Sequence, residues 1–125
     1  MINQPEHTLL FAMKRTPHEA ELLEAFQKNG YNLLVAETGE ETICIFSEHP
    51  KIDVLLISID LPGMDAVETV CKIRQNNTSV PVILLSNFVT IYTIRLALGI
   101  GCNEILQTPV SPIALQGIIF KYLNN

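Results

Sequence analysis

The chain has 125 residues and a mass of 13.9 kDa, which is about the size of one domain with one hydrophobic core. Hydrophobic residues make up 48% of the sequence and charged residues 17%, a balance that excludes a disordered chain. The net charge of −5 argues against nucleic acid or acidic lipid as the main partner. We therefore expect a single globular domain over residues 1–125 that binds neither nucleic acid nor membrane.

The three cysteines, Cys44, Cys71 and Cys102, lie far apart, which excludes a zinc ribbon or a CxxC redox motif. Their odd number, together with a polar N-terminal segment that cannot act as a secretory signal, favours a reducing cytoplasm. Uninterrupted apolar runs, such as residues 54–57, are far shorter than the roughly 18 residues that a membrane-spanning helix needs. We predict a cytoplasmic protein whose cysteines are inert core residues.

Short apolar strands alternate with helical segments along the whole chain. The predicted strands are residues 8–13, 32–36, 52–59, 80–85 and 103–107. The predicted helices are residues 17–29, 40–48, 65–76, 88–98 and 112–123. Thr16 and Glu19 are predicted to form a capping box at the first helix, and Ser111 is predicted to cap the last one in front of Pro112.

Strands that are apolar on both faces are typical of a parallel sheet with helices on both sides. Five such units with right-handed connections favour an α/β fold, a doubly wound, flavodoxin-like (βα)5 sandwich with strand order 2-1-3-4-5. Ligands of such sheets bind beyond the C-terminal ends of the strands, next to strands 1 and 3. The candidate site residues therefore lie at the strand ends: Met13, Lys14, Ser58, Ile59, Asp60, Ser86, Asn87, Gln107 and Thr108.

Five short sequence segments carry a family resemblance through their order and spacing along the chain. They are Gly-Tyr at residues 30–31, AETGEE at 36–41, DVLLISIDLPGMD at 53–65, PVILLS at 81–86 and Thr-Pro at 108–109. Through these segments the whole chain resembles the receiver domains of two-component response regulators. The resemblance implies a signal-transduction module that is not itself an enzyme. It also implies a cis peptide bond before Pro109.

The chemical positions of that family are mostly replaced in this chain. By the resemblance, the phosphoacceptor aspartate corresponds to Ser58, the two acids that bind Mg²⁺ to Met13 and Lys14, and the phosphate-contacting lysine to Thr108. Only the hydroxyl after the fourth strand is kept, as Ser86. A carboxylate attacks phosphorus only when a divalent cation neutralises the converging oxygens. We therefore predict a degenerate pseudo-receiver with no catalytic residue, metal or cofactor.

Two other interpretations of this rim remain open. Asp60, two residues past Ser58, is the candidate for a displaced phosphoacceptor, which would make the chain a phosphorylatable receiver with a non-standard metal site. Alternatively, the ammonium group of Lys14 takes the place of the metal and pairs with Asp60. Ser58 is predicted to bond to nearby backbone. The histidines are predicted to be solvated: His7, His18 and His49.

The last part of the chain is nearly uncharged, since residues 86–125 contain only Arg95, Glu104 and Lys121 as charged side chains. The fourth and fifth helices are thus more apolar than one core-facing side requires, and exposed apolar patches mark interfaces. We predict phosphorylation-independent contact with a protein partner, or a homodimer, at the face of the fourth helix, fifth strand and fifth helix. The predicted contact residues are Ile91, Tyr92, Arg95, Ile105, Ile119 and Tyr122.

Overall fold

The computed structural model describes residues 7–49 and 51–123. Strands and helices alternate in the order β1 (Thr8–Ala12), α1 (Pro17–Lys28), β2 (Asn32–Ala36), α2 (Gly39–Glu48), β3 (Val54–Ser58), α3 (Ala66–Asn76), β4 (Val82–Ser86), α4 (Ile91–Gly99), β5 (Glu104–Gln107) and α5 (Pro112–Leu123). Every predicted element is present, although β3 and β4 begin two residues later than predicted. Across the described ranges, no helix is both long enough and apolar enough to cross a membrane.

The five strands form one parallel sheet in the order β2-β1-β3-β4-β5, which confirms the predicted topology. Side chains alternate between the two faces of a strand, so Leu10 and Phe11 of β1 lie in different core clusters. The cluster of Leu10 includes residues of α3 and α4, whereas the cluster of Phe11 includes residues of α1 and α5. Helices α1 and α5 therefore cover one face of the sheet, and α2, α3 and α4 cover the other.

The helix caps differ in part from the predicted ones. Ser111 Oγ accepts a hydrogen bond from the Ala114 N–H at 3.1 Å, as a cap of α5 should. Thr16 precedes α1, but its side chain makes no capping hydrogen bond, so the predicted capping box with Glu19 is wrong. Helix α4 instead has a capping box between Thr90 and Thr93. This box was not predicted, because threonine at the third helical position is outside the usual Glu/Gln pattern.

Only one of the three cysteines is a core residue. Cys102 is buried, and this burial raises the pKa of its thiol to about 11. Cys44 and Cys71 are exposed, so the prediction that they are core residues is wrong. They lie on the solvent-facing sides of α2 and α3. The core-facing sides of these helices are occupied by other residues, such as Val70.

Arg74 of α3 connects three segments beside the edge strand β5. Its Nε and Nη2 donate to the Gly101 carbonyl oxygen at 3.0 and 2.7 Å, and its Nη1 donates to the Asn77 carbonyl oxygen at 3.0 Å. Its Nη2 also lies 3.2 Å from Asn103 Oδ1, which accepts the Val82 N–H at 2.9 Å. These bonds hold the start of β4 and the turn before β5 in place.

Candidate functional site

A cleft of about 300 Å³ lies at the C-terminal edge of the sheet, where the topology predicts a site. Its lining comes from the start of α1 and from the segments that follow β3, β4 and β5. The lining residues are Thr16, His18, Glu19, Ser58, Ile59, Asp60, Asn87, Thr108 and Pro109. Of the predicted strand-end residues, the cleft brings together Ser58, Ile59, Asp60, Asn87 and Thr108. The others do not line it: Met13, Lys14, Ser86 and Gln107.

Three polar groups form a chain across one rim of the cleft. The Ser58 hydroxyl donates to Asp60 Oδ1 at 2.5 Å, so the predicted bond from Ser58 to nearby backbone is replaced by one to a side chain. Asp60 Oδ2 lies 3.9 Å from Lys14 Nζ, and both of these side chains are at least half exposed. Exposed ion pairs of this kind contribute about 1 kcal/mol or less.

The end of β1 contributes no carboxylate to this rim. Met13 is fully buried in the core cluster that also holds Phe11 and Phe26, between the sheet and helices α1 and α5. The next residue, Lys14, is exposed. The polypeptide therefore directs an apolar side chain into the core and an ammonium group to the rim.

The residues around the cleft do not fit a Mg²⁺ ion. Mg²⁺ demands near-octahedral coordination by oxygen ligands, usually including carboxylates. Within residues 7–49 and 51–123, no three His, Cys, Asp or Glu side chains are grouped closely enough to hold a metal ion. The carboxylates that line the cleft are Glu19 and Asp60, and the Lys14 ammonium beside Asp60 repels a second cation.

Ser86 and Thr108 both lie at strand ends but serve different contacts. Ser86 Oγ donates to the Phe88 carbonyl oxygen at 2.9 Å and accepts the Phe88 N–H at 3.2 Å. This hydroxyl is therefore used in the turn after β4, and Asn87 lines the cleft instead. The Thr108 N–H donates to the Ser86 carbonyl oxygen at 2.9 Å, and the Thr108–Pro109 peptide bond is cis, as the resemblance implies.

His18 and Glu19 are cleft residues that the sequence analysis did not identify. His18 Nε2 accepts the Val110 N–H at 3.3 Å, and its Nδ1 lies 3.9 Å from Glu21 Oε1, so the prediction of a solvated side chain is wrong. Glu19 Oε1 is buried and, among the described residues, has no hydrogen-bond partner. No local sequence signal indicates the His18 contact, because Val110 lies 92 residues further along the chain.

The other two predicted solvated histidines differ from each other. His49 is exposed, as predicted. His7 Nδ1 lies 3.9 Å from Asp53 Oδ2, with about 38% of each side chain exposed. The same Asp53 oxygen accepts the Thr8 N–H at 2.8 Å, so Asp53 lies at the N-terminal end of β1, away from the cleft. Neither histidine is therefore a candidate ligand at the strand ends that form the site.

A second polar cluster joins β5 to α5. Glu104 Oε2 accepts hydrogen bonds from Lys121 Nζ and from the Tyr122 hydroxyl, both at 2.5 Å. The bond from Lys121, followed by the bond from Tyr122, lowers the pKa of Glu104. Burial, followed by the bond to Glu104, raises the pKa of Tyr122 to about 12. Two of the three charged residues in this part of the chain are thus paired with each other.

We expect Glu104→Gln to lower the free energy of unfolding by about 1 kcal/mol near pH 7, because it replaces a carboxylate that accepts two hydrogen bonds. A carboxyl group whose pKa is lowered on folding stabilises the protein above its unfolded pKa, and this stabilisation is lost as the pH falls through its folded pKa. Urea unfolding near pH 7 and at about pH 3 measures the difference. The control is Glu24→Gln at an exposed position. An equal loss at both pH values would contradict the expectation.

Large apolar side chains are exposed on α4, on α5 and in the loop before α4. Phe88 is 72% exposed, Tyr92 76% and Ile113 84%. The full set is Phe88, Ile91, Tyr92, Leu96, Leu98, Ile113 and Phe120. Helices α4 and α5 lie on opposite faces of the sheet and flank its edge strand β5. An apolar surface is therefore present on the elements where it was predicted.

The residues of this surface differ from the predicted set. Ile91, Tyr92 and Arg95 are exposed. Ile119 is fully buried because it shares the sheet-facing side of α5 with Leu115, so its prediction as a contact residue is wrong. The remaining two predicted residues are partly buried and pack against the core: Ile105 and Tyr122. Helix α5 is apolar on all sides, so its sequence pattern does not distinguish the buried side from the exposed one.

Comparison with known proteins identifies the family of the chain. The family model of the response regulator receiver domain matches residues 17–120. The chain belongs to this family. A receiver domain is a module of two-component signalling proteins, and it generally interacts with other proteins, such as kinases and effectors.

Curated relatives of the chain are longer signalling proteins. A cyclic di-GMP phosphodiesterase of Thermotoga maritima is 30% identical over 97 residues, which is 78% of this chain and 26% of that protein. The alkaline phosphatase synthesis transcriptional regulatory protein PhoP of Bacillus subtilis is 27% identical over 86 residues, which is 69% of this chain and 35% of that protein. The chain therefore spans well under half of the length of these relatives.

Solved structures share the fold at low sequence identity. A CheY-like response regulator receiver domain protein of Methanospirillum hungatei has a TM-score of 0.85 at 20% identity, covering 94% of both chains. The chemotaxis response regulator CheY4 of Vibrio cholerae has a TM-score of 0.84 at 18% identity, covering 93% of this chain and 98% of that one. At such identities the likeness shows the fold alone.

Proposed function

We propose that this receiver domain is a pseudo-receiver, which acts by protein–protein contact and without phosphorylation. In this role it is an atypical response regulator or the regulatory domain of a larger signalling protein. The observation that carries the proposal is the end of β1, where Met13 is buried in the core and the Lys14 ammonium lies 3.9 Å from Asp60. The family match begins at residue 17, after this segment.

The chemistry of phosphoryl transfer supports the proposal. The attacking oxygen and the phosphate oxygens all carry negative charge, so a divalent cation between them is needed to lower the barrier. The rim offers that cation too few carboxylates and places Lys14 beside Asp60. The Ser58 hydroxyl is a poor nucleophile, because the carboxylate that accepts its proton is a weak base. In this proposal the Lys14 ammonium group pairs with Asp60 in place of a metal ion.

Intact-mass measurement after incubation with acetyl phosphate and Mg²⁺ tests the proposal. We expect the natural chain, Asp60→Asn and Ser58→Ala to keep their masses unchanged, because no side chain at the rim is both nucleophilic and metal-supported. A receiver domain with the complete acidic set serves as the positive control for the reagent. An adduct that is lost in Asp60→Asn would contradict the proposal and identify a phosphorylatable receiver with a displaced acceptor.

The surface of α4, β5 and α5 is the proposed site of contact, and a second copy of the chain is its proposed occupant. In a two-fold symmetric dimer each patch meets the same patch of the other copy, so a patch with few unpaired charges is suited to pairing with itself. Glu104 and Lys121 of this surface form an ion pair with each other. Arg95 is the third charged residue of this part of the chain, and its side chain is exposed. A different protein partner is the alternative occupant.

A further inference from the structure

A second cavity, of about 750 Å³, lies beside the edge strand β2 and is lined by one side of α1. The large apolar side chains that line it are Leu23 of α1 and Leu33 and Val35 of β2. The acidic residues Glu21 and Glu24 of α1 also line it, and both are exposed. It shares no lining residue with the strand-end cleft, so the two are separate features of the domain.

The strand that borders this groove has unpaired backbone groups. The Asn32 N–H donates to the His7 carbonyl oxygen, and the Ala36 carbonyl oxygen accepts the Met13 N–H, both at 3.0 Å. Because successive residues of a parallel strand turn their backbone groups to opposite sides, those of Leu33 and Val35 point away from β1. Within the described part of the chain, no other segment pairs with β2, which is an edge of the sheet.

The edge also lacks the usual protection against pairing. Natural edge strands often carry charged residues, prolines or bulges that prevent another strand from adding to them. The sequence of β2, Asn-Leu-Leu-Val-Ala, has neither a charge nor a proline, and its register with β1 is regular. Leu33 and Val35 therefore offer both free backbone hydrogen-bonding groups and an apolar groove surface.

We propose that this edge accepts an extended segment of a protein partner as an additional strand, with lysine or arginine side chains on its α1-facing side. Main-chain hydrogen bonds to Leu33 and Val35 supply affinity, as in other strand additions. The aliphatic stems of the basic side chains pack over the apolar groove residues, and their charged ends reach Glu21 and Glu24.

The charges of the groove decide between a basic partner and a second copy. Arg15, which also lines the groove, lies 3.9 Å from Glu37 Oε2, and Glu21 Oε1 lies 3.9 Å from His18 Nδ1. No lysine or arginine lies within 4 Å of the Glu21 or Glu24 carboxylates in the described residues. A second copy bound at this edge would bring its own Glu21 and Glu24 close to Glu21 and Glu24 of the first copy, and the repulsion between these like charges opposes pairing.

Amide hydrogen exchange of the full chain tests this proposal, with a synthetic peptide of alternating valine and lysine as the probe. We expect the amides of Leu33 and Val35 to exchange on the order of tenfold more slowly when the peptide is bound. The amides of Asn32 and Leu34, which already face β1, are the internal control and should not change. A peptide of alternating valine and glutamate should give no protection.

A charge-reversed variant tests the partner chemistry. We expect Glu21→Lys with Glu24→Lys to weaken binding of the lysine peptide on the order of tenfold. Glu48→Lys with Glu68→Lys changes the net charge equally at exposed positions outside the groove and should change affinity by less than about twofold. Unprotected Leu33 and Val35 amides, or equal weakening by both variants, would overturn the proposal. Protection that rises with protein concentration without peptide would also overturn it, because the occupant would be a second copy.

Discussion

Replacing Phe88 and Tyr92 by glutamate is expected to convert the proposed dimer into a monomer. Both side chains are more than two-thirds exposed in the single chain, so the substitutions should leave its fold and stability nearly unchanged. In a symmetric dimer of the variant, the two new carboxylates of each copy would be buried facing the two new carboxylates of the other copy, and these like charges repel one another. We expect the dimer dissociation constant to rise on the order of a hundredfold or more. Sedimentation velocity across a range of protein concentrations measures it.

A matched control separates the position of the charges from their number. Cys44→Glu with Cys71→Glu adds the same charge at two exposed positions on α2 and α3, away from the apolar surface. This control should dissociate at the same concentration as the natural chain. A natural chain that stays monomeric at every concentration would show that a second copy is not the occupant. Equal weakening by both variants would show that net charge, and not the apolar surface, controls association.

Substituting Lys14→Asp and Ser58→Asp is expected to create a Mg²⁺ site. The Ser58 hydroxyl is 2.5 Å from Asp60 Oδ1 and Lys14 Nζ is 3.9 Å from Asp60 Oδ2, so both new carboxylates would converge on Asp60. Three such groups repel one another without a cation, and a divalent ion supplies the missing charge. We expect the melting temperature of the variant to rise with Mg²⁺ concentration, whereas that of the natural chain stays constant.

Met13 is left unchanged in this variant because of its burial. The side chain is fully buried among apolar neighbours, and an aspartate there would lose core packing and bury an unpaired carboxylate, at a cost of several kcal/mol. Lys28→Asp with Ser47→Asp changes the charge equally at exposed positions and is the matched control. If the rim variant folds but responds to Mg²⁺ no more than this control does, the assignment of the family's acidic positions to this rim is wrong.

The strand order and most element positions were predictable because they depend on local pattern. Apolar runs of strand length, separated by amphipathic segments, can bury both faces only in a parallel sheet with helices on each side. The chemical character of the strand ends was also predictable, because the family resemblance matches Ser58 to the phosphoacceptor position, and Ser58 is the last residue of β3. By contrast, the capping box at Thr16 was not realised, since Glu19 lies in the cleft.

In helix α5 the hydrophobic pattern of the sequence does not predict which residues are buried. Its sequence is apolar around the whole helix, so no stripe distinguishes Ile119, which faces the sheet, from Ile113, which faces solvent. Which side is buried depends on where the helix packs relative to β5 and α1. The groove beside β2 was unpredicted for a related reason. Its lining joins the exposed side of α1 to an edge strand, and neither segment carries a ligand motif.

The sequence by itself determined the α/β architecture, the absence of acidic residues at the end of β1 and the scarcity of charge in the last part of the chain. These properties belong to consecutive residues and to short spacings, so they do not depend on packing. Only the tertiary structure decided that His18 accepts the Val110 N–H and that Arg74 bonds to the turn before β5. Such contacts join segments distant in sequence, and the packing of the helices on the sheet determines which side chains meet.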